Sequence, residues 1–186
     1  MSEPIDRVLV IEDDLQLREL LGRAISREGK IQVDLAGSSA EALERMARES
    51  YQLVVLDIHL PDRDGFDVFR EILADPKLRA IPVIFLTGEA EVSRKVAAFS
   101  LGAEDYVVKP FDVIEFRARI ESRLKKQRAI KEGDVATFQV GTLSVDPIAQ
   151  KAIINGQDTG LTQLEFKILY QLAAARGDTL SRKAIK

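Results

Sequence analysis

The chain has no cysteine, which excludes a disulfide framework and any thiolate metal site. It has no apolar run near the roughly 18 residues a membrane span needs. Its first residues, MSEPIDRVLVIEDD, are acidic where a secretory leader would be basic and then long and apolar. No internal repeat and no low-complexity tract interrupts it, and histidine occurs once, at His59. A cytoplasmic protein with no membrane partner is therefore expected.

What is present is a globular composition, 31% charged and 46% hydrophobic over 186 residues. That length suits one large domain, or an ordinary domain followed by a small one. Residues 1–122 hold 16 Lys+Arg and 24 Asp+Glu, residues 123–135 hold 5 and 2, and residues 136–186 hold 6 and 4. An acidic part followed by a mildly basic one points to two domains with different partners. The basic excess at the end is too small to argue nucleic-acid binding by itself.

Short apolar runs alternate with amphipathic stretches over the first 122 residues. The runs are Val8 to Ile11, Ile31 to Ala36, Leu53 to Leu56, Val83 to Leu86 and Tyr106 to Val108. Each is apolar on consecutive positions and rich in β-branched residues, as strands buried on both faces of a parallel sheet must be. Helical spacing follows each run: Leu17, Leu20, Leu21, Ala24 and Ile25; Ala42, Leu43 and Met46 behind Ser38/Ser39; Val68, Phe69, Ile72 and Leu73; Val92, Val96 and Phe99, stopped by Gly102; and Val113, Phe116, Ile120 and Leu124. Five β–α units predict an α/β fold, a doubly wound open sheet with helices on both sides. After Leu124 the fifth helix frays into a charged linker. FQVGTLSVDP and QKAIINGQD then read as antiparallel strands with turns at Gly141, Asp146-Pro147 and Asn155-Gly156. Thr162 to Glu165 is a capping box opening a helix with Leu164, Ile168, Leu169 and Leu172.

Function in an open parallel sheet gathers at the carboxyl ends of the strands. Those ends carry Glu12 and Asp13, Asp57, Thr87 and Lys109. Three carboxylates set together repel unless a cation sits among them. Oxygen ligands of this kind suit Mg²⁺, or Mn²⁺, with Mg²⁺ demanding octahedral geometry at about 2.0–2.1 Å. An aspartate is a competent nucleophile for phosphoryl transfer, and a metal, a lysine and a threonine can stabilise the transferring oxygens. Taken singly, each residue has a plainer reading. Glu12-Asp13-Asp14 suits a helix N-terminus, with Asp14 the plainest case. Thr87 suits a strand-end cap, and Tyr106 a half-buried core aromatic.

The set VLVIEDD, VVLDIHLPDRDG, VIFLTGEA and YVVKPF resembles the receiver domains of response regulators over residues 5–124. The resemblance implies a flavodoxin-like five-stranded sheet of order 2-1-3-4-5. It makes Asp57 the phosphoacceptor, Asp13 the main metal ligand, Glu12 the second acidic position and the carbonyl of His59 a third protein ligand. Thr87 and Tyr106 become a switch pair, and Lys109 contacts the phosphoryl group ahead of a cis bond to Pro110. Gly65 allows a tight loop. His59 and Glu89 border the phosphoryl group and are expected to alter access of the hydrolytic water. No turnover of an external metabolite is implied, only self-phosphorylation and self-dephosphorylation. A hydrolase of the aspartate-nucleophile kind would want a second Asp where His59 stands.

GLTQLEFKILYQLAAARGDTLSR resembles the start of an OmpR/PhoB-type winged-helix effector domain. The reading is then a receiver at 5–124, a linker at 125–134 and a partial effector at 135–186, with recognition helix and wing expected beyond Lys186. The implied partners are a sensor histidine kinase, DNA once the effector is complete, and a second copy. The homodimer would form on phosphorylation through the fourth helix, fifth strand and fifth helix. Lys95 with Glu115 and Asp105 with Arg119 match that interface, while Ser100 and Glu121 depart from it. Arg176, Arg182, Lys183 and Lys186 read as a solvated face. The competing function is a phosphorylation-dependent protein-interaction module whose tail does not bind DNA.

Overall fold

In the computed structural model the described residues are 5–26, 29–88, 92–131, 138–147, 151–161 and 163–175. Two compact units divide the chain, one ending at Lys126 and the other comprising residues 127–186 with 100–102.

Over residues 5–131 strand and helix alternate: β1 Asp6–Ile11, α1 Leu15–Ile25, β2 Ile31–Ala36, α2 Ser39–Arg48, β3 Leu53–Asp57, α3 Gly65–Ala74, β4 Val83–Thr87, α4 Val92–Ser100, β5 Asp105–Val108 and α5 Val113–Lys131. The strands pair in parallel in the order β2-β1-β3-β4-β5, the doubly wound arrangement expected. Successive side chains of a strand point to opposite faces, so a sheet with helices on both sides buries both sets in its central strands, as in β3 and β4, while the edge strand β2 stays partly open. Val8, Val10, Leu53, Val55, Ile84 and Leu86 join Leu21 and Ile25 of α1 and Phe116, Ile120 and Leu124 of α5 in one core cluster. The alternate residues Leu9, Ile11, Val54, Leu56 and Phe85 are equally buried. On that second face Phe85 stacks on Phe66 (4.9 Å between centroids) and meets Phe69 edge-on (5.3 Å). Each such side chain contributes about 1.5–3 kcal/mol through burial.

The helix ends follow local chemistry. Asp14 caps α1 by accepting from the Leu17 N–H, Ser38 caps α2 through Glu41, and Asp64 caps α3 through Phe66. The cap of Asp14 matches its plainest sequence reading. Helix α4 departs from expectation: it buries Ala98, while Val96 and Phe99 of the expected inner face are exposed. Three apolar positions at helical spacing define a face but not which way it turns, and here the small Ala98 is the one that is buried.

The second unit is an antiparallel sheet, β6 Phe138–Val140, β7 Leu143–Asp146, β8 Lys151–Ile154 and β9 Gln157–Asp158, followed by α6 Gln163–Ala174. Asn155 and Gly156 both have positive φ, 51° and 80°, as the Asn-Gly hairpin turn requires. Val145, Ala152 and Phe166 form its core, with Phe138 and Tyr170 against them. Thr162 of the expected capping box and the basic residues from Arg176 to Lys186 lie outside the described residues. Among the described residues no helix is long and apolar enough to cross a membrane.

Candidate functional site

Register places the site. Ile11 pairs with Leu56, Asp57 with Leu86 and Thr87 with Val108, so the residues ending or following these strands share one edge. β1 is flanked by β2 on one side and β3 on the other, which makes this edge the topological switch point. Glu12, Asp57, Thr87 and Tyr106 are buried, at 1%, 3%, 0% and 5% exposure. Carboxylate oxygens of Glu12, Asp13 and Asp57 lie within 4.8 Å of one another. The Lys109 ammonium donates to Glu12 Oε2 and to Asp57 Oδ2, each at 2.6 Å.

Backbone bonds tie these groups together across strands. The Ile58 N–H donates to the Leu86 carbonyl (3.1 Å) and the Lys109 N–H to the Thr87 carbonyl (2.7 Å). The His59 N–H donates to Asp57 Oδ1 at 3.1 Å, and the residue is exposed at the rim of the site. The Lys109–Pro110 bond is cis, as the resemblance implied. Gly65 is required sterically: a Cβ there would stand 2.3 Å from the Asp57 carbonyl oxygen. Glu89, the expected companion of His59, lies outside the described residues.

Electrostatics at this edge are unbalanced. Burial pushes the Glu12 carboxyl up to about 7; the Lys109 bond opposes this and the neighbouring Asp57 charge adds to it. Burial also presses the Lys109 ammonium towards neutrality, but its bonds to Asp57 and Glu12 outweigh that and raise its pKa. An ammonium held between two of three clustered carboxylates leaves a negative site of hard oxygen donors, the donor chemistry that suits a small divalent cation.

Two supporting side chains escaped the sequence reading. Arg18 donates to the carbonyl oxygens of Glu12 (2.6 Å) and Asp13 (3.3 Å). Asp62 accepts from the N–H and hydroxyl of Ser39 and from the Ala40 N–H. Asp62 reaches a distant loop, and Arg18 bonds backbone carbonyls five and six residues back, which no side-chain pattern marks.

The profile of the response regulator receiver domain family matches residues 8–121. Response regulator MprA of Mycobacterium leprae is 33% identical over 179 residues, which are 96% of this chain and 77% of that protein. Response regulator ArlR of Staphylococcus aureus is 31% identical over 179 residues, 96% of this chain and 78% of that one. Among solved structures, a CheY-like response regulator receiver domain protein of Methanospirillum hungatei superposes with a TM-score of 0.62 at 28% identity. That match covers 70% of this chain and 100% of the other.

Proposed function

Because this chain belongs to the response regulator receiver family, we propose that Asp57 is its phosphoacceptor, charged by a sensor histidine kinase to govern a transcriptional output. The observation that carries this is the buried Asp57 carboxylate at the open edge of the sheet, bonded to Lys109 and beside Glu12 and Asp13.

In the forward step an Asp57 carboxylate oxygen attacks the phosphorus. An O–P bond forms, the P–N bond to the kinase imidazole breaks, and its electron pair leaves on nitrogen. Lys109 and the Thr87 hydroxyl bind phosphoryl oxygens, stabilising the charge that spreads over them. A divalent cation, Mg²⁺ or Mn²⁺, supplies further positive charge to those oxygens when bound. Glu12, Asp13, Asp57 and the His59 carbonyl are the groups to hold it. In the return step water attacks the phosphorus, the bond to Asp57 breaks, and inorganic phosphate leaves with the carboxylate restored. Chemistry is thus confined to Asp57 itself. The protein turns over no external metabolite.

Thr87, drawn to the phosphoryl group, and Tyr106 form the switch that reports to α4, β5 and α5. This face makes the phosphorylation-dependent homodimer. Support comes from its exposed apolar residues, Val96 at 58% and Ile114 at 80%. Arg119 already bonds Asp105 (2.9 Å) and Glu115 (2.8 Å) within one chain, so dimerisation has to share or exchange these pairs. Residues 5–124 act as receiver, 125–134 as connection and 135–186 as the opening of a winged-helix effector. DNA binding belongs to that effector when complete, in the cytoplasm. The test is mass spectrometry after incubation with an acyl phosphate and Mg²⁺. Wild type should gain one phosphate and Asp57→Asn none; an unmodified wild type, or a phosphorylated variant, overturns the reading.

A further inference from the structure

We propose that the corner between β2 and α2, which bears no ligand of its own, clamps both metal-binding loops, with Arg18 and Asp62 as positioning residues for the divalent cation. The inference rests on the metal reading above and deepens it.

The ligands come from two loops, the one after β1 with Glu12 and Asp13 and the one after β3 with His59. Each is held at the same corner, the first against Gly37 and the second by Ser39 and Ala40. Arg18 holds the first loop by bonding the Glu12 and Asp13 carbonyls. Its guanidinium lies against Gly37, where a Cβ would stand 2.6 Å from Nη1. Gly37 is fixed in turn, its N–H donating to Glu41 Oε2 at 2.8 Å, and Glu41 is paired with Arg45. Asp62 holds the second loop. Its Oδ1 accepts from the Ser39 N–H at 3.0 Å, and its Oδ2 from the Ser39 hydroxyl at 2.7 Å and the Ala40 N–H at 3.0 Å. Ser39 is only 1% exposed, so this is an anchored contact. Burial raises the Asp62 pKa, but the bonds from Ser39 and Ala40 win and bring it down to about 2. The clamp is therefore charged at any working pH.

Two physical reasons make this more than helix capping. Three carboxylates within 4.8 Å repel, so the loop carrying Glu12 and Asp13 has to be restrained against Asp57, even with Lys109 bonding two of the three. A small cation with strict octahedral demands also tolerates little displacement of its ligands. Groups that orient metal ligands from behind typically change affinity by about 10–100-fold when removed.

The competing view is that Asp62 merely caps α2, whose own cap bond from the Glu41 N–H to the Ser38 hydroxyl is long at 3.3 Å. Calorimetric titration of the full chain with Mn²⁺, alongside thermal unfolding without metal, separates the two. Asp62→Ala and Arg18→Ala should each weaken Mn²⁺ binding about 10-fold. Gly37→Ala, which keeps the guanidinium but pushes it aside, should weaken it in the same direction. Asp62→Asn retains an acceptor oxygen and should recover part of the loss. Ser38→Ala removes the helix's own cap without touching either loop, so it should lower the melting temperature and leave affinity unchanged. Ser39→Ala, a milder loss of one bond, serves if Asp62→Ala does not fold, and it too should weaken binding. Clamp variants that melt early yet bind Mn²⁺ like wild type overturn the inference alone. Wild-type binding that survives Asp13→Asn overturns the metal reading and the inference with it.

Discussion

The parallel sheet carries an ionic cluster near each end of its strands, and the two are balanced differently. Near the amino ends, Arg7 bonds Asp34 at 2.8 Å and also Glu49. The Tyr51 hydroxyl donates to the same Asp34 oxygen at 2.9 Å, and the Arg7 N–H donates to the Gln52 side chain at 2.7 Å. The Arg7 guanidinium also lies over the Tyr51 ring, 5.7 Å from its centroid. Donors and acceptors close on one another, although the buried Arg7 Nε has no partner. At the carboxyl ends three carboxylates converge, and Lys109 bonds two of them. At the amino end one cation faces two carboxylates, both bonded to it, and a single negative charge remains. At the carboxyl end one ammonium faces three carboxylates and bonds only two, and that larger excess fits the site for a cationic ligand.

The sharpest way to break this comparison is to remove one anchor from each end. Asp57→Asn should abolish phosphate incorporation from an acyl phosphate while the chain stays folded, since an amide oxygen is not a competent nucleophile. Arg7→Ala should leave Asp34 and Glu49 without their cation, lower the urea midpoint and leave phosphate incorporation in place. Mass spectrometry and a denaturation curve on the same samples decide. If Arg7→Ala loses phosphorylation at full folding, the amino-end cluster is not merely structural.

How much of this was legible beforehand depends on where the information sits. The five strands were legible because a doubly covered parallel strand has to be apolar on consecutive residues. The convergence of Glu12, Asp13, Asp57, Thr87 and Lys109 was legible because parallel strands bring their carboxyl ends to one edge. The orientation of α4 was not, since Val96 and Phe99 carry the same spacing whether turned inward or outward. Arg18 and Asp62 were not either. Asp62 finds Ser39 across 23 residues of chain, and no local pattern encodes that meeting. The Arg7–Asp34–Tyr51 cluster was missed for the same reason: its members are single polar residues in or beside apolar runs, joined only when the strands pair.

The carboxyl end also depends on a backbone contact that the amino end does not share. Gly65 approaches so closely that a Cβ would meet the Asp57 carbonyl oxygen at 2.3 Å and the Ile58 Cα at 2.9 Å. Both are backbone atoms next to the Asp57 carboxylate, so no flexible side chain can yield. Gly65→Ala should destabilise the chain by about 3 kcal/mol, at the upper end of what overpacking usually costs, and slow phosphorylation of whatever remains folded. Urea denaturation gives the first quantity, and the time course of phosphate incorporation the second. A variant of wild-type stability means that the loop can retreat and the close approach is not required.

The smallest effect tests the amino end by pH. Burial, with the bond to Asp34 and its charge, pushes the Tyr51 phenol up to about 12, against about 10 in an unfolded chain. The folded state thus holds the phenolic proton more tightly than the unfolded one. Its stabilising contribution is complete below about pH 10 and declines as pH rises through about 12. Tyr51→Phe keeps the buried ring but removes the donor, and should cost about 1 kcal/mol near neutrality. It should also flatten the alkaline decline, so that the urea midpoints of wild type and variant converge above about pH 10. Parallel curves would show that the proton on Tyr51 is held no more tightly in the folded chain. The amino-end cluster would then be a set of neighbouring charges and not a closed network.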